Sequence, residues 1–331
     1  MDDLYYRSWG SHAIADLGFD REAHERAHML VRLIDGIFQH PFLGSRLALK
    51  GGAAINLFRR DPVRVPLDVD LDYVATRDRA AMAAEQPRFL EPLSEVVADL
   101  DMARAMVVQG EINFLWRTPL WPTRRRDSCS IAGDSARHVV VEDEHDTAAA
   151  KLATVIARSA SRDLFDGREL LHHGRLDPRK LRLSFLVYGV LQHLDWRTAS
   201  VARIATDPAS VATLVPQLRR DLRPAPDEVA AWTRQLVGET RDAMVGLLTF
   251  EPHERAFLDR VYTAGELAPE LLTRDPAQRE IIRRHPGLVS KLNAIRHQLG
   301  LPNAGVVEEH ATQRFRMQAR WSEDEAPALP S

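Results

Sequence analysis

The chain has 331 residues, 45% hydrophobic and 27% charged, an ordinary soluble composition with enough apolar material for one large or two ordinary domains. A formal net charge of −3 supplies no global basic field, so any nucleic-acid binding must rest on a local patch. A single cysteine, Cys129, excludes an internal disulfide framework and a Cys-based zinc site. No run approaches the roughly 18 apolar residues of a membrane span, and the acidic start Met1-Asp2-Asp3 is unlike a signal peptide, so a soluble, cytoplasmic chain without a membrane partner is expected.

Apolar residues recur at helical spacing over 21–39 (Ala23, Ala27, Leu30, Leu33, Ile34, Ile37), which predicts an amphipathic helix packed on a sheet. The same helix contains His24-Glu25-Arg26-Ala27-His28. This formal His-Glu-x-x-His match would put two imidazoles on one side for zinc, with Glu25 as base. No Gly and His follow at the longer metalloprotease spacing, and a solvated helix flank is the simpler reading.

Leu47, Ala48 and Leu49 form a short apolar run that stops at Gly51-Gly52, and Ala53 to Phe58 reads as a helix. The glycines therefore mark a strand-to-helix turn, which can offer bare backbone N–H groups to a phosphate, although most such pairs are only turns. From Leu67 to Tyr73 the chain alternates: Leu67, Val69, Leu71 and Tyr73 fall on one face of a strand, Asp68, Asp70 and Asp72 on the other. At roughly 6–7 Å between alternate Cα positions, unneutralised carboxylates repel, and Asp is a poor strand former. Mg²⁺ or Mn²⁺ on Asp68 and Asp70 removes the conflict and suits phosphate chemistry. The alternative is the solvated face of an edge strand.

Residues 77–100 read as helical, followed by two strands, 102–108 and 111–116, around Gln109-Gly110. The proline-punctuated loop 117–126 interleaves Arg117, Arg124, Arg125 and Arg126 with Trp121, just after Trp116. Arginine neutralises phosphate and tryptophan offers a stacking plate, which suits RNA; a solvent loop anchored by its tryptophans is the other reading. After a short strand at 138–141, Asp143 to Asp146 supply an N-cap and first-turn acids for a helix starting near Glu144. At 100° per residue, Lys151, Arg158 and Arg162 fall within about 40° of one another and Asp166 some 40° beyond, if that helix runs on through 159–161. Such a stripe either binds polyphosphate or is merely exposed.

From Pro178 the pattern is almost wholly helical, over 180–194, 196–205, 210–221, 227–249, 252–264, 277–284 and 286–298, with Arg223-Pro-Ala-Pro226 as a loop. The expected architecture is α/β (α+β): a small mixed sheet flanked by helices over 1–177, an all-helical C-terminal domain over 178–321, and an acidic, proline-rich, disordered tail over 322–331.

Lys50-Gly51-Gly52-Ala53-Ala54 with Arg64-x-Pro66-x-Asp68-x-Asp70-Leu71-Asp72-Tyr73 resembles the nucleotidyltransferase toxins of the AbiEii/AbiGii (MenT-like) family, within the polymerase-β-like superfamily. Ala149-Ala150-Lys151-Leu152 and Arg158-x-x-x-Arg162-Asp163-Leu164-Phe165-Asp166 match the same family's downstream signature. Ala53 stands where the family has Thr or Ser and Pro66 where it often has Ser; the first departure removes a hydroxyl and leaves backbone N–H groups to meet a triphosphate.

The resemblance implies metal-dependent transfer of a nucleoside monophosphate from an NTP to an acceptor, the 3′ end of tRNA, and a cognate antitoxin protein. Asp68 and Asp70 would hold the metal. Gly51, Gly52 and Ala53 would cradle phosphates whose charge Lys50, Arg64, Lys151, Arg158 and Arg162 offset. Asp166 would act as base or positioning group, with Asp163 the alternative. In this superfamily a third carboxylate comes from a later strand, where Glu111 is best placed, with Asn113 on the same face. Two rival readings remain: a catalytically idle nucleotide- or RNA-binding subunit, and a zinc peptidase through His24 and His28.

Overall fold

A computed structural model describes residues 18–59, 61–100, 106–305 and 312–319. The expected first helix forms as α1 (Arg21–Gln39), with Ala27, Leu30, Leu33, Ile34 and Ile37 fully or almost fully buried. The glycine turn lies between β1 (Leu47–Lys50) and α2 (Gly51–Leu57), and the alternating stretch is β2 (Val69–Tyr73). α3 (Arg79–Glu85) and α4 (Leu90–Ala98) lead to β3 (Met106–Asn113). Two short strands follow, β4 (Arg124–Arg126) and β5 (Val139–Val141).

Val69, Leu71 and Tyr73 project from β2 into a first core, where the Tyr73 ring meets Phe114 at 5.4 Å and Phe89 at 6.0 Å. The three Asp side chains are thereby turned to the opposite face. β1 pairs antiparallel with β2 and parallel with β5, while β2 pairs parallel with β3.

The two strands expected around Gln109-Gly110 are one continuous strand. Gly110 is not a turn: a side chain there would collide with the Val69 carbonyl and the Phe315 ring, so glycine lets three strands close up. Residues 101–105 lie outside the described residues.

α5 (Glu144–Ala157) and α6 (Ser161–His173) are separate helices, which corrects the single helix expected through Ser159. Arg158 is extended (φ −145°, ψ 139°) and ends α5. The helical region continues as α7 (Pro178–Val190), α8 (Pro208–Leu214), α9 (Val229–Leu248), α10 (Pro252–Asp259), α11 (Pro276–Arg284) and α12 (Pro286–Gln298). The helix expected over 196–205 reduces to short 3-10 turns at Trp196–Thr198 and Val201–Arg203. α5 and α6 share a second core with these helices through Leu152, Phe165, Phe185 and Trp196.

After α12 the chain returns to the sheet as β6 (Thr312–Ala319), a strand not expected in a region read as helical. It runs antiparallel along the whole of β3 and completes the order β4-β5-β1-β2-β3-β6. The tail expected to be disordered, from Ser322, lies outside the described residues.

Candidate active site

The sheet register puts four charged residues in one row across four strands: Lys50 beside Asp70, Asp70 beside Glu111, and Glu111 beside Arg314. Gln109, two residues before Glu111, stands beside Arg316. Asp68, Asp70, Glu111 and the two arginines line one cavity of about 420 Å³ that opens to solvent. Burial, and after it the charge of Asp68, push the Asp70 carboxyl up to about 6. Two acids so close, one with its ionised form disfavoured, are poised for a cation.

Both glycines of the turn have packing reasons. Gly51 has φ +68°, in the left-handed region, and a side chain there would strike the Asp70 carboxylate. A Cβ on Gly52 would come within 3.0 Å of the Arg64 guanidinium. Ala53 is wholly buried in α2 as part of the first core.

Lys50 was expected at the phosphates, but its ammonium is buried and ion-paired with Asp72. It also sits 4.7 Å over the ring of Trp116. Burial pulls the Lys50 pKa down; Asp72 and Glu142 outweigh this and hold it charged. Glu142, just after β5, is itself so buried beside Asp72 that its carboxyl is pushed well above the usual range. Lys50 is therefore part of the wall that fixes β1 to β2.

Across the cleft, Lys151 near the middle of α5 donates to Asp163 at 2.7 Å and lies 3.3 Å from Asp166. Arg158 donates to the other Asp163 oxygen at 2.6 Å, yet its side chain remains 65% exposed. The break between the helices is what lets both cations reach the same carboxylate. Arg162, in the first turn of α6, is half-buried, and the expected continuous stripe does not form.

Arg64, expected among the nucleotide-binding residues, grips Asp166 with two hydrogen bonds, 2.7 and 2.6 Å, where both are buried. Asn56 adds a third at 3.2 Å. Burial would raise the Asp166 pKa, but Arg64 and Lys151 hold it at about 2. A carboxylate so held is a fixed anion. Of the two roles open to Asp166 the geometry supports positioning, not proton abstraction.

The basic loop is corrected more thoroughly. Arg117 is buried and donates to the Phe114 carbonyl, while Trp121 donates its indole N–H to Ser184 Oγ at 2.8 Å. Neither is presented to RNA. Arg124, Arg125 and Arg126 form β4, at the sheet edge remote from Glu111. Four strand steps of ~4.8 Å put them roughly 19 Å away. Trp116 packs against Lys50 and Tyr188 rather than offering a stacking face.

The His-Glu-x-x-His match also dissolves: His28 bonds Asp134 at 2.7 Å and Glu25 pairs with Arg21. Among the described residues no three His, Cys, Asp or Glu side chains converge into a closed metal cage. Asp68 and Asp70 nevertheless fit a hard divalent cation held by one or two carboxylates, with water and substrate phosphate completing its sphere.

Several roles escaped the sequence reading: Asp72 as the partner of Lys50, Glu142 buried beside both, Asn56 on Asp166, and Arg314 and Arg316 on β6. The last two had a legible signal, since Arg314, Phe315, Arg316 and Met317 alternate with period two.

The chain is similar in structure to MenT4, a nucleotidyltransferase toxin of Mycobacterium tuberculosis H37Rv, at 14% identity and a TM-score of 0.47 over 83% of this chain and 95% of that one. No curated protein matches it. The family model described as nucleotidyl transferase AbiEii toxin, type IV toxin–antitoxin system, matches residues 32–260, more than half of the chain and the whole of β1 to α9. That membership sets aside the idle-subunit and peptidase readings and implies an antitoxin partner. The chain belongs to the AbiEii family of nucleotidyltransferase toxins.

Proposed function

We propose that the protein transfers a nucleoside monophosphate from an NTP to the 3′ end of tRNA in the cytoplasm, using a divalent metal, and that the antitoxin suppresses this activity. The observation that carries the reading is the register of Asp70 beside Glu111, next to Asp68, in one open cavity across from the cations Lys151 and Arg158. Mg²⁺ or Mn²⁺ on Asp68 and Asp70 would order the triphosphate and lower the pKa of the attacking hydroxyl.

The chain's own residues do the rest. Lys151 and the exposed Arg158 meet the β- and γ-phosphates, and Asp163 holds both cations in place. The Gly51-Gly52 backbone, kept free of side chains, lines the phosphate path beside Asp70. Glu111 takes the proton of the acceptor hydroxyl. The acceptor oxygen bonds to the α-phosphorus, the α–β bridging bond breaks, and pyrophosphate leaves.

The test is to incubate the protein with each α-labelled NTP, total RNA and Mg²⁺, with and without chelator. Label should enter tRNA only with metal. Absence of label from every RNA would overturn the acceptor, and label that persists in chelator would overturn the metal.

A further inference from the structure

The sheet row does not end at the third carboxylate. Beyond Glu111 stands β6, outside the stretch that matches the family model, and its arginines face the same cavity as Asp68 and Asp70. Arg314 Nε lies 3.6 Å from Glu111, and its side chain is 85% exposed. Arg316, one alternation along, is exposed beside Gln109. Phe315, between them, is buried under β3 against Gly110 and anchors the strand. The pattern is a fixed strand presenting two exposed arginine side chains to the cavity.

Phosphoryl transfer runs with entering and leaving oxygens roughly in line. Lys151 and Arg158 come from α5 and its C-terminal end, and α5 packs on α2, the helix that follows β1, whereas Glu111, Arg314 and Arg316 come from β3 and β6, on the other side of β2 from β1. If the leaving pyrophosphate rests on Lys151 and Arg158, the attacking hydroxyl must arrive from the Glu111 side. A carboxylate-rich cavity repels a polyanion, so an acceptor flanked by phosphates needs cations there. Arg314 and Arg316 are those cations, at the spacing of alternate strand positions, roughly 6–7 Å, which matches the span between successive phosphates of an extended strand.

We infer that Arg314 and Arg316 bind the backbone phosphates next to the acceptor hydroxyl, so that β6 forms the acceptor-strand subsite and β4 does not. This rests on the reading of the protein as an NTP:RNA nucleotidyltransferase. The acceptor class is a nucleic-acid 3′ end.

The test compares the parent protein with Arg314→Ala/Arg316→Ala and Arg314→Lys/Arg316→Lys, using labelled tRNA, a non-hydrolysable NTP and a range of salt concentrations. The alanine pair should weaken tRNA binding at least tenfold and lower the log–log salt slope by about 0.7–0.9 for each lost contact. It should leave affinity for the NTP analogue unchanged, and the lysine pair should restore the salt slope. Unchanged tRNA affinity and slope in the alanine pair would overturn the inference while leaving the transferase reading intact. So would loss of NTP-analogue affinity with tRNA binding retained, which would put the arginines on the triphosphate. If the parent labels a protein hydroxyl and no nucleic acid, both the acceptor reading and this subsite fall together.

Discussion

Arg64 and Asp166, 102 residues apart, close a bidentate ion pair in a site from which water is excluded. The pair ties the segment before β2 to α6, and Lys151 leans on the same carboxylate. It thus fixes the distance between the Asp-x-Asp strand and the cations across the cleft.

Removing one partner strands a buried charge. Asp166→Ala should cost about 3–5 kcal/mol, read as a lower urea midpoint with an unchanged slope. Replacing Arg64 and Asp166 together by leucine should cost less than either single change, because no charge is left unpaired. Equal or additive costs would show that the pair is not a unit.

Asp70→Asn keeps the shape of the side chain and removes the charge at the centre of the row. Transfer should fall on the order of a thousandfold, as expected for a first-sphere metal contact, with the folded state retained by circular dichroism. Retention of more than about a tenth of the activity is incompatible with the metal role.

Lys151→Ala should raise the Kd for NTP and lower the rate together, since the ammonium meets the phosphates in the ground state and more strongly as charge builds on the leaving pyrophosphate. Neither His24→Ala nor His28→Ala should do so. Loss of activity in the histidine variants would move the site to α1.

Arg124, Arg125 and Arg126 provide a control for the RNA surface. Their replacement by alanine should leave the salt slope of tRNA binding unchanged, because β4 lies at the sheet edge remote from Glu111. A slope reduced by more than one contact would return RNA binding to that edge.

His285 supplies a pH signature. It is buried, accepts a hydrogen bond from the Leu288 N–H as the N-cap of α12, and burial with Arg117 nearby lowers its pKa to about 4. Unfolded histidine titrates near 6.5, so between those values the unfolded chain binds more protons and stability falls as pH falls. The loss is at most about 1.4 kcal/mol per pH unit. His285→Asn, which keeps a capping acceptor, should flatten this part of the stability profile relative to the parent; parallel profiles would refute the assignment.

Much of the chemistry was legible without coordinates. The alternation over 67–73 placed Asp68, Asp70 and Asp72 on one face because side-chain direction on a strand has period two, a local property. The helical spacing of α1 and the glycine turn before α2 were visible for the same reason, and the alternation of Glu111 and Asn113 already put both on one strand face.

Partner choice was not legible. Arg64, Lys50 and Arg117 have the same composition-level signature as the exposed Arg158, yet three of them are buried against groups that only the fold brings near. Arg158 and Arg162 separate because the chain turns extended at Arg158, a break that packing both α5 and α6 on the shared second core imposes on residues with no strong local stop signal. Strand order is equally non-local: β4 follows soon after β3 in sequence but lands at the far edge, while β6, almost 200 residues later, pairs with β3 along its length. Sequence by itself determined which side chains could share a face; the tertiary structure decided which faces meet, since that depends on burying two separate apolar cores and pairing every backbone edge, conditions no short window of residues contains.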